Sequence, residues 1–551
     1  METNVHSSGL RQKVDQLMDI LWAGGVNNPM DSIEQLSYLL FLRLLTEKDE
    51  MLATLDKKNY QRIFSGEWAR YAWGNFVTLT GDELFDAVRG AIEKLHELPG
   101  LSATGKLLFN RATLKVYDRP TLRAVIQAIH QMDLDSHGGQ DLKGDMYEYL
   151  LSKISMSGTN GQFRTPRHII GMIVSLVDPK AGQRICDPAC GTAGFLIAAF
   201  NHMLCENTSK ASRARGTCDG DLLKPAQWRF LEEQAFTGYD NDANMVKIAI
   251  LNLYLHRLEK AEIEFHNPLT TGKGSPYPGL MFDVILANPP FAGKIQKESI
   301  LADINLETRD TELLFLKWFI DHLNPGGRAG VIVPNGVLFG SNKADRKVRE
   351  LLLTTCDLQA VVNLPSGVFK PYSGVGTAAL IFEKAHIASR AAPGVAPAVA
   401  PAVAPGFSPA RAGGVAPGFS PASSRLAGGV TQDAALKGGA TTQFVWFYDL
   451  TADGFSLDDK RTPIEANDIP DVLAKWPERK EGPNSYRVPI EKIKENDWSL
   501  AAGRYKPVTV EPAEHDPPAK ILAEVLDLET KIAEGARNLL SGLTTRPEAD
   551  K

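Results

Sequence analysis

The chain predicts an α/β protein. Its doubly wound, mainly parallel sheet follows an all-helical amino-terminal domain and precedes a carboxyl-terminal helical tail. Three observations predict this. Up to about residue 150, apolar residues recur at helical spacing with no strand-like alternation. From about Gly161, short apolar runs alternate with helical stretches, the rhythm of a parallel sheet with crossover helices. Several of those runs end in Gly-, Asp- or Pro-containing turns, which in open sheets lie on the edge where ligands bind.

The elements follow in order. Ile33, Leu36, Leu40 and Leu44 mark one helix face behind Asp31-Ser32, which reads as its cap. Leu84, Val88, Ile92 and Leu95 mark another, and the stretch from Leu122 to Ile129 a third, giving a helical domain over 1–155. The sheet domain is expected over 156–470. Its strands read as Arg184–Asp187, Phe236–Asp240, Glu262–His266, Phe282–Ala287, Ala329–Pro334, Leu358–Leu364, Thr377–Phe382 and Phe444–Asp449. Helices between them read as Ala193–Met203, Ala243–Leu255, Glu312–Leu323 and Lys343–Leu353. Residues 388–439 are rich in Ala, Pro and Gly, and VAPGFSPA at 403–410 recurs at 415–422, so a flexible surface insertion is expected there. The tail, 471–551, holds a helix near Ala519–Leu540. Its stripe of Ile521, Val525, Leu528, Ile532 and Leu539 suits either packing on its own chain or a partner subunit.

Composition narrows the classes. In 551 residues, 43% hydrophobic and 23% charged, the formal charge is −6. Binding to nucleic acid through bulk positive charge is therefore excluded, while a local basic cleft or a basic partner is not. The five cysteines are sparse and odd in number, and His202 has no paired ligand, so no metal site is expected. A reducing, cytoplasmic setting fits that count, and no stretch has transmembrane length.

Two prolines stop the apolar run Phe282–Ala287, so Asn288-Pro289-Pro290-Phe291 sits at a strand's carboxyl end. The turn offers a side-chain amide, backbone carbonyl oxygens and an aromatic face. That set suits an exocyclic amine on a flat ring, although a strand-ending turn with a core Phe has the same sequence. Asp187-Pro188-Ala189-Cys190-Gly191-Thr192-Ala193-Gly194 follows an earlier strand and opens a helix. Its glycines permit close backbone approach, but its spacing is neither that of a dinucleotide fingerprint nor of a P-loop. Asp240 ends the next strand, where an acid caps a helix or accepts both hydroxyl hydrogens of a ribose.

In this order, the three strand ends resemble the S-adenosylmethionine-dependent N6-adenine DNA methyltransferases, and more narrowly the modification (M) subunits of type I restriction–modification systems. Gly161-Gln162-Phe163-Arg164-Thr165-Pro166-Arg167 is similar to the family's segment that helps hold the cofactor's methionine part. Arg164 stands where many relatives carry an aromatic residue. Asp187, Ala189, Gly191, Thr192, Ala193 and Gly194 resemble the cofactor loop, Asp240 the ribose acid, and Asn288 to Phe291 the catalytic tetrapeptide. The resemblance extends through Glu312-Leu313-Leu314-Phe315, the segment 327–336, and 361–365 with 369–377.

The resemblance implies methyl transfer to the N6 amine of an adenine flipped out of double-stranded DNA. Phe291 is expected to stack on the base, and the Asn288 side-chain oxygen and Pro289 carbonyl to accept the amine's hydrogens. It also implies a DNA-specificity (S) subunit and a second copy of the M subunit as partners, and leaves open whether a restriction (R) subunit joins. Related tetrapeptides serve enzymes that methylate glutamine amides or RNA amines, and a cofactor-binding scaffold without catalysis is a third class.

Overall fold

The computed structural model describes residues 2–134, 142–156, 165–270, 280–386, 443–507 and 518–544. Gln162, Phe163 and Arg164, and the expected insertion 388–439, lie outside the described residues. Two compact units are present, Met1–Arg504 and Tyr505–Lys551.

The first unit begins with helices. Helix α1 (Glu2–Ala23) and helix α2 (Pro29–Leu55) lead a bundle that includes Gly81–Lys94 and Arg119–His130. Ile33, Leu36, Leu40 and Leu44 are all buried, as their spacing predicts. The cap is not Asp31-Ser32. The helix starts earlier, with Pro29 in its first turn and Asn28 Oδ1 accepting the Met30 N–H at 2.9 Å. Proline is pre-shaped for that position and its missing N–H costs nothing there, so the cap moves upstream of it. Helix α3 (Leu142–Met156) follows, then α4 (Arg167–Val177).

The sheet has nine strands. They are β1 (Ile185–Asp187), β2 (Phe236–Asp240), β3 (Glu262–Phe265), β4 (Phe282–Ala287), β5 (Leu323–Pro334), β6 (Cys356–Leu364), β7 (Thr377–Lys384), β8 (Phe444–Asp449) and β11 (Ser485–Pro489). Their spatial order is β11-β8-β6-β7-β5-β4-β1-β2-β3. Strands β5, β4, β1, β2 and β3 run parallel, and β7 lies antiparallel between β5 and β6. A separate ribbon pairs β9 (Asp453–Phe455) with β10 (Pro463–Asn467). The sheet runs past residue 470, because β11 pairs antiparallel with β8. Ser485–Pro489 is short and half polar, so its sequence carries no strand signal comparable to the buried runs.

Helix α5 (Gly194–Glu206) covers one face between β1 and β2, and helix α6 (Ala243–Leu255) returns from β2 to β3. The bundle seats on α6: the Phe41 and Tyr254 rings lie 4.6 Å apart, and Lys247 Nζ meets Glu34 Oε1 at 3.0 Å. Within the second unit, helix α7 (Pro518–Thr544) carries Ile521, Val525, Leu528, Ile532 and Leu539 as exposed side chains on one stripe.

Cys205 and Cys218 form a disulfide, with Cα atoms 4.5 Å apart. This corrects the expectation of wholly reduced cysteines. The end of α5 and the chain after the short helix Lys210–Ala214 are brought together by Asp221, which accepts from Ser209 N at 2.6 Å and Ser212 Oγ at 3.1 Å. The count of five thus gives no argument for a reducing compartment. Among the described residues, no helix is long and apolar enough to cross a membrane.

Candidate active site

Strand β1 lies between β4 and β2, and the chain winds away from it in both directions. That reversal opens a crevice at the carboxyl ends of the strands. Asp187, Asp240 and Asn288 stand at the ends of β1, β2 and β4 and line one cavity of about 790 Å³.

The turn after β1 is held by its own acids. Asp187 is fully buried, and its Oδ1 accepts the Ala189 N–H at 3.1 Å. Burial pushes its carboxyl up to about 8; the Ala189 hydrogen bond opposes that and the nearby Asp240 charge adds to it. Gly191 has φ +51°, which turns its N–H onto Asp240 Oδ2 at 2.9 Å. A Cβ added there would meet nothing within 4 Å, so the space above this backbone is open to a ligand. Ala193 also takes a left-handed φ of 63°, at a cost on the order of 1–3 kcal/mol. Such a conformation persists only where its surroundings fix it. Here Ala193 N–H donates to Cys190 O at 2.7 Å, and Asn252 Nδ2 donates to the Thr192 carbonyl at 2.8 Å.

Asp240 accepts from backbone amides on both oxygens, Gly191 through Oδ2 at 2.9 Å and Asp242 through Oδ1 at 2.8 Å. Burial raises its proton affinity, against its hydrogen bonds from the backbone amides of Asp242, Gly191 and Asn241. Each carboxylate oxygen has a further lone pair for a hydroxyl. Asp242, not Asp240, caps α6, accepting the Asn244 N–H at 2.8 Å.

At the end of β4 the Asn288 amide is fixed by one bond: Nδ2 donates to Thr165 Oγ1 at 2.8 Å. Its Oδ1 is buried and has no hydrogen-bond partner among the described residues. A buried acceptor left in this way costs on the order of 1–3 kcal/mol, and here it sits on a strand end that faces a cavity.

The cavity brings most of the expected residues together. Thr165 and Arg167, then Ala189, Gly191, Thr192 and Gly194, and finally Pro289 and Pro290 all line it. Pro166 instead forms the amino-terminal boundary of α4, and Ala193 is buried beneath its turn. Phe291 is outside the lining as well. Its ring is 8% exposed and meets Phe369 edge-on, with centroids 5.3 Å apart. So little of the ring is exposed that it offers no open surface for a base in this state.

Other lining residues were not read from sequence. Asp145 and Glu148 come from α3, and His266 and Asn267 from the end of β3. The last pair carried a signal, since they follow a strand adjacent to the Asp240 strand. His266 donates its backbone N–H to the Asp240 carbonyl at 2.9 Å, and burial lowers its ring's proton affinity. Glu148 carried none, because its place depends on the packing of a helix far upstream of the turn it meets.

Comparison with known proteins agrees with this architecture. Residues 138–392 match the family model for N-6 DNA methylases, and residues 10–129 match that for the HsdM N-terminal domain. The EcoEI type I restriction enzyme methylase subunit of Escherichia coli is 32% identical over 384 residues, covering 67% of this chain and 74% of that protein. The EcoKI methylase subunit of Escherichia coli K12 is 28% identical over 396 residues, covering 70% of this chain and 69% of that one. A structure solved in a study of type I restriction–modification complex assembly has a TM-score of 0.65 and 26% identity, covering 98% and 99% of the two chains. A type I methyltransferase subunit from Streptococcus thermophilus shares the fold at a TM-score of 0.61 and 17% identity, covering 91% of this chain and 100% of that one. The chain therefore belongs to the family of type I restriction enzyme methylase subunits.

Proposed function

We propose that this chain transfers a methyl group from S-adenosylmethionine to the N6 amine of an adenine extruded from double-stranded DNA. It does so as the modification subunit of a type I complex whose separate specificity subunit selects the site. The observation that carries the reading is the Asn288 amide: its nitrogen is tied to Thr165 and its buried oxygen lacks a partner among the described residues.

The residues present fit the cofactor. Asp187 is a buried carboxyl held largely protonated, which an ammonium group would return to its charged form. Asp240 retains acceptor capacity for ribose hydroxyls beside the open backbone of Gly191. The cofactor supplies an electrophilic methyl group on a sulfonium centre.

The chain's part is positioning and charge. An adenine amine is a weak nucleophile because its lone pair is delocalised into the ring. Two acceptors, Asn288 Oδ1 and the Pro289 carbonyl, would hold its hydrogens and favour a pyramidal nitrogen. They would also stabilise the positive charge that develops there, an electrostatic preorganisation that requires no reorientation during reaction. Stacking on the base falls to Phe291 only after its pair with Phe369 opens.

The test is Asn288→Ala in a complex assembled with its specificity subunit. Cofactor affinity by calorimetry should stay near the wild-type value while methyl transfer to DNA is lost. Transfer at the wild-type rate would refute the assignment. Mapping methyl groups on DNA, RNA and protein glutamines from the same reaction separates this reading from the other amine substrates.

A further inference from the structure

We infer that Glu148 of α3 is a positioning residue that links the seating of the amino-terminal helical bundle to the shape of the cofactor loop. The inference rests on the cofactor site proposed above.

Helix α3 has two working faces. Asp145, Glu148 and Leu151 recur every third residue, so they share a face, and all three line the cavity. The other side is bonded to the bundle. Tyr147 is fully buried, its hydroxyl 2.8 Å from Ser37 Oγ of α2. Tyr149 donates its hydroxyl to both carboxylate oxygens of Asp15 in α1, each at 3.0 Å. Lys153 Nζ closes the same cluster, 2.6 Å from Asp15 Oδ1.

From the cavity face the connection runs on to the loop. Glu148 is 6% exposed, and its Oε2 accepts from Arg167 Nε at 3.2 Å. Its Oε1 accepts from Asn252 Nδ2 at 3.1 Å, and that same nitrogen holds the Thr192 carbonyl at 2.8 Å. Asn252 is wholly buried on α6. One carboxylate thus braces the segment before β1, the helix after β2 and, through Asn252, the turn that contains Gly191 and Ala193. In a low-dielectric site such a network is stable only when every member is in place. Displacing α3 by the length of a hydrogen bond would break the Glu148 bond to Asn252 Nδ2 and leave the amide that holds Thr192 without its brace. The coupling must also act in reverse, because ligand-induced ordering of the loop and seating of the bundle share one free energy.

The experiment uses the full chain and S-adenosylmethionine as the probe. Tyr149→Phe removes a hydroxyl at the bundle side, away from the cavity, and Glu148→Gln keeps the brace's size without its charge. Calorimetry should show severalfold weaker binding for Tyr149→Phe and a loss of about tenfold for Glu148→Gln. Hydrogen exchange in α1 should slow when the cofactor binds the wild type, and the slowing should vanish in Glu148→Gln. Wild-type affinity in Tyr149→Phe, with α1 exchange indifferent to cofactor, would overturn the inference while leaving the cofactor site intact. Absence of any cofactor binding by the wild type would instead overturn the cofactor reading, and this inference with it.

Discussion

Buried Asp187 accepts the Ala189 N–H and half-buried Asp240 the Gly191 N–H, and their raised proton affinities give the site a pH dependence with a defined sign. Between the ordinary value of 3.8 and about 8, folded Asp187 keeps a proton that the unfolded chain releases. Its contribution to stability is therefore full at low pH and is lost as pH rises through that window. Binding of a cationic cofactor has the opposite sign, because it expels the proton. Affinity should climb by up to about tenfold per pH unit and level off above about 8. Calorimetry in buffers of different ionisation enthalpy should show proton release at about pH 6.5 and little at about pH 8.5; an affinity flat across that range would remove Asp187 from cation binding. Thr165→Val tests the other strand end. Without its anchor the Asn288 amide can rotate, and single-turnover transfer should slow by about tenfold with cofactor affinity little changed. Asn288 and Asp240 were legible because each ends a strand read from its apolar run. The Thr165 bond and the burial of the Phe291 ring were not, since both are made by residues distant in sequence.

Among the elements, the ones with clear periodicity matched their reading: β2, β4 and α6 have the predicted bounds. Those that depend on partners escaped it. Strand β11 exists because β8 offers an edge, and the cap of α2 moved because Pro29 favours an earlier start. The packing behind the loop gives a direct test. A Cβ at Gly238 would come within 2.7 Å of Ile263 Cδ1 and 3.1 Å of Cys190 Sγ. Gly238→Ala should therefore destabilise the first unit by about 1–3 kcal/mol in urea unfolding and weaken cofactor binding by tilting the turn. Helix α7 predicts a different outcome. Leu528→Glu with Ile532→Glu changes exposed positions, so the melting temperature of the first unit should hold. Capture of the specificity subunit in a pulldown should fail if this stripe is its docking face, and undiminished capture would assign the stripe elsewhere.

For the whole molecule, the formal charge of −6 bears on how DNA is held. Affinity through phosphate neutralisation requires clustered cations, which this chain lacks in bulk. The isolated chain should bind duplex DNA weakly and leave no defined methylated motif when sequenced, whereas adding its specificity subunit should restore one. A defined motif from the chain alone would contradict the division of labour. The α/β class and the helical amino-terminal region were legible because burial imposes periodicity on sequence. The seating of the bundle on α6 and α3 was not, because it is written in side chains such as Phe41, Tyr147 and Glu148 that read equally well as ordinary core or surface.

The Asn288 oxygen, unpaired among the described residues, also bears on turnover. An unmethylated adenine brings two amine hydrogens to two waiting acceptors, but its methylated product brings one. On the proposed reading, the product leaves one acceptor unsatisfied again, a difference on the order of 1–3 kcal/mol against the base that has just reacted. The arrangement that draws the substrate in would thus help to expel what it makes, so the finished base returns to the duplex without a separate ejecting device.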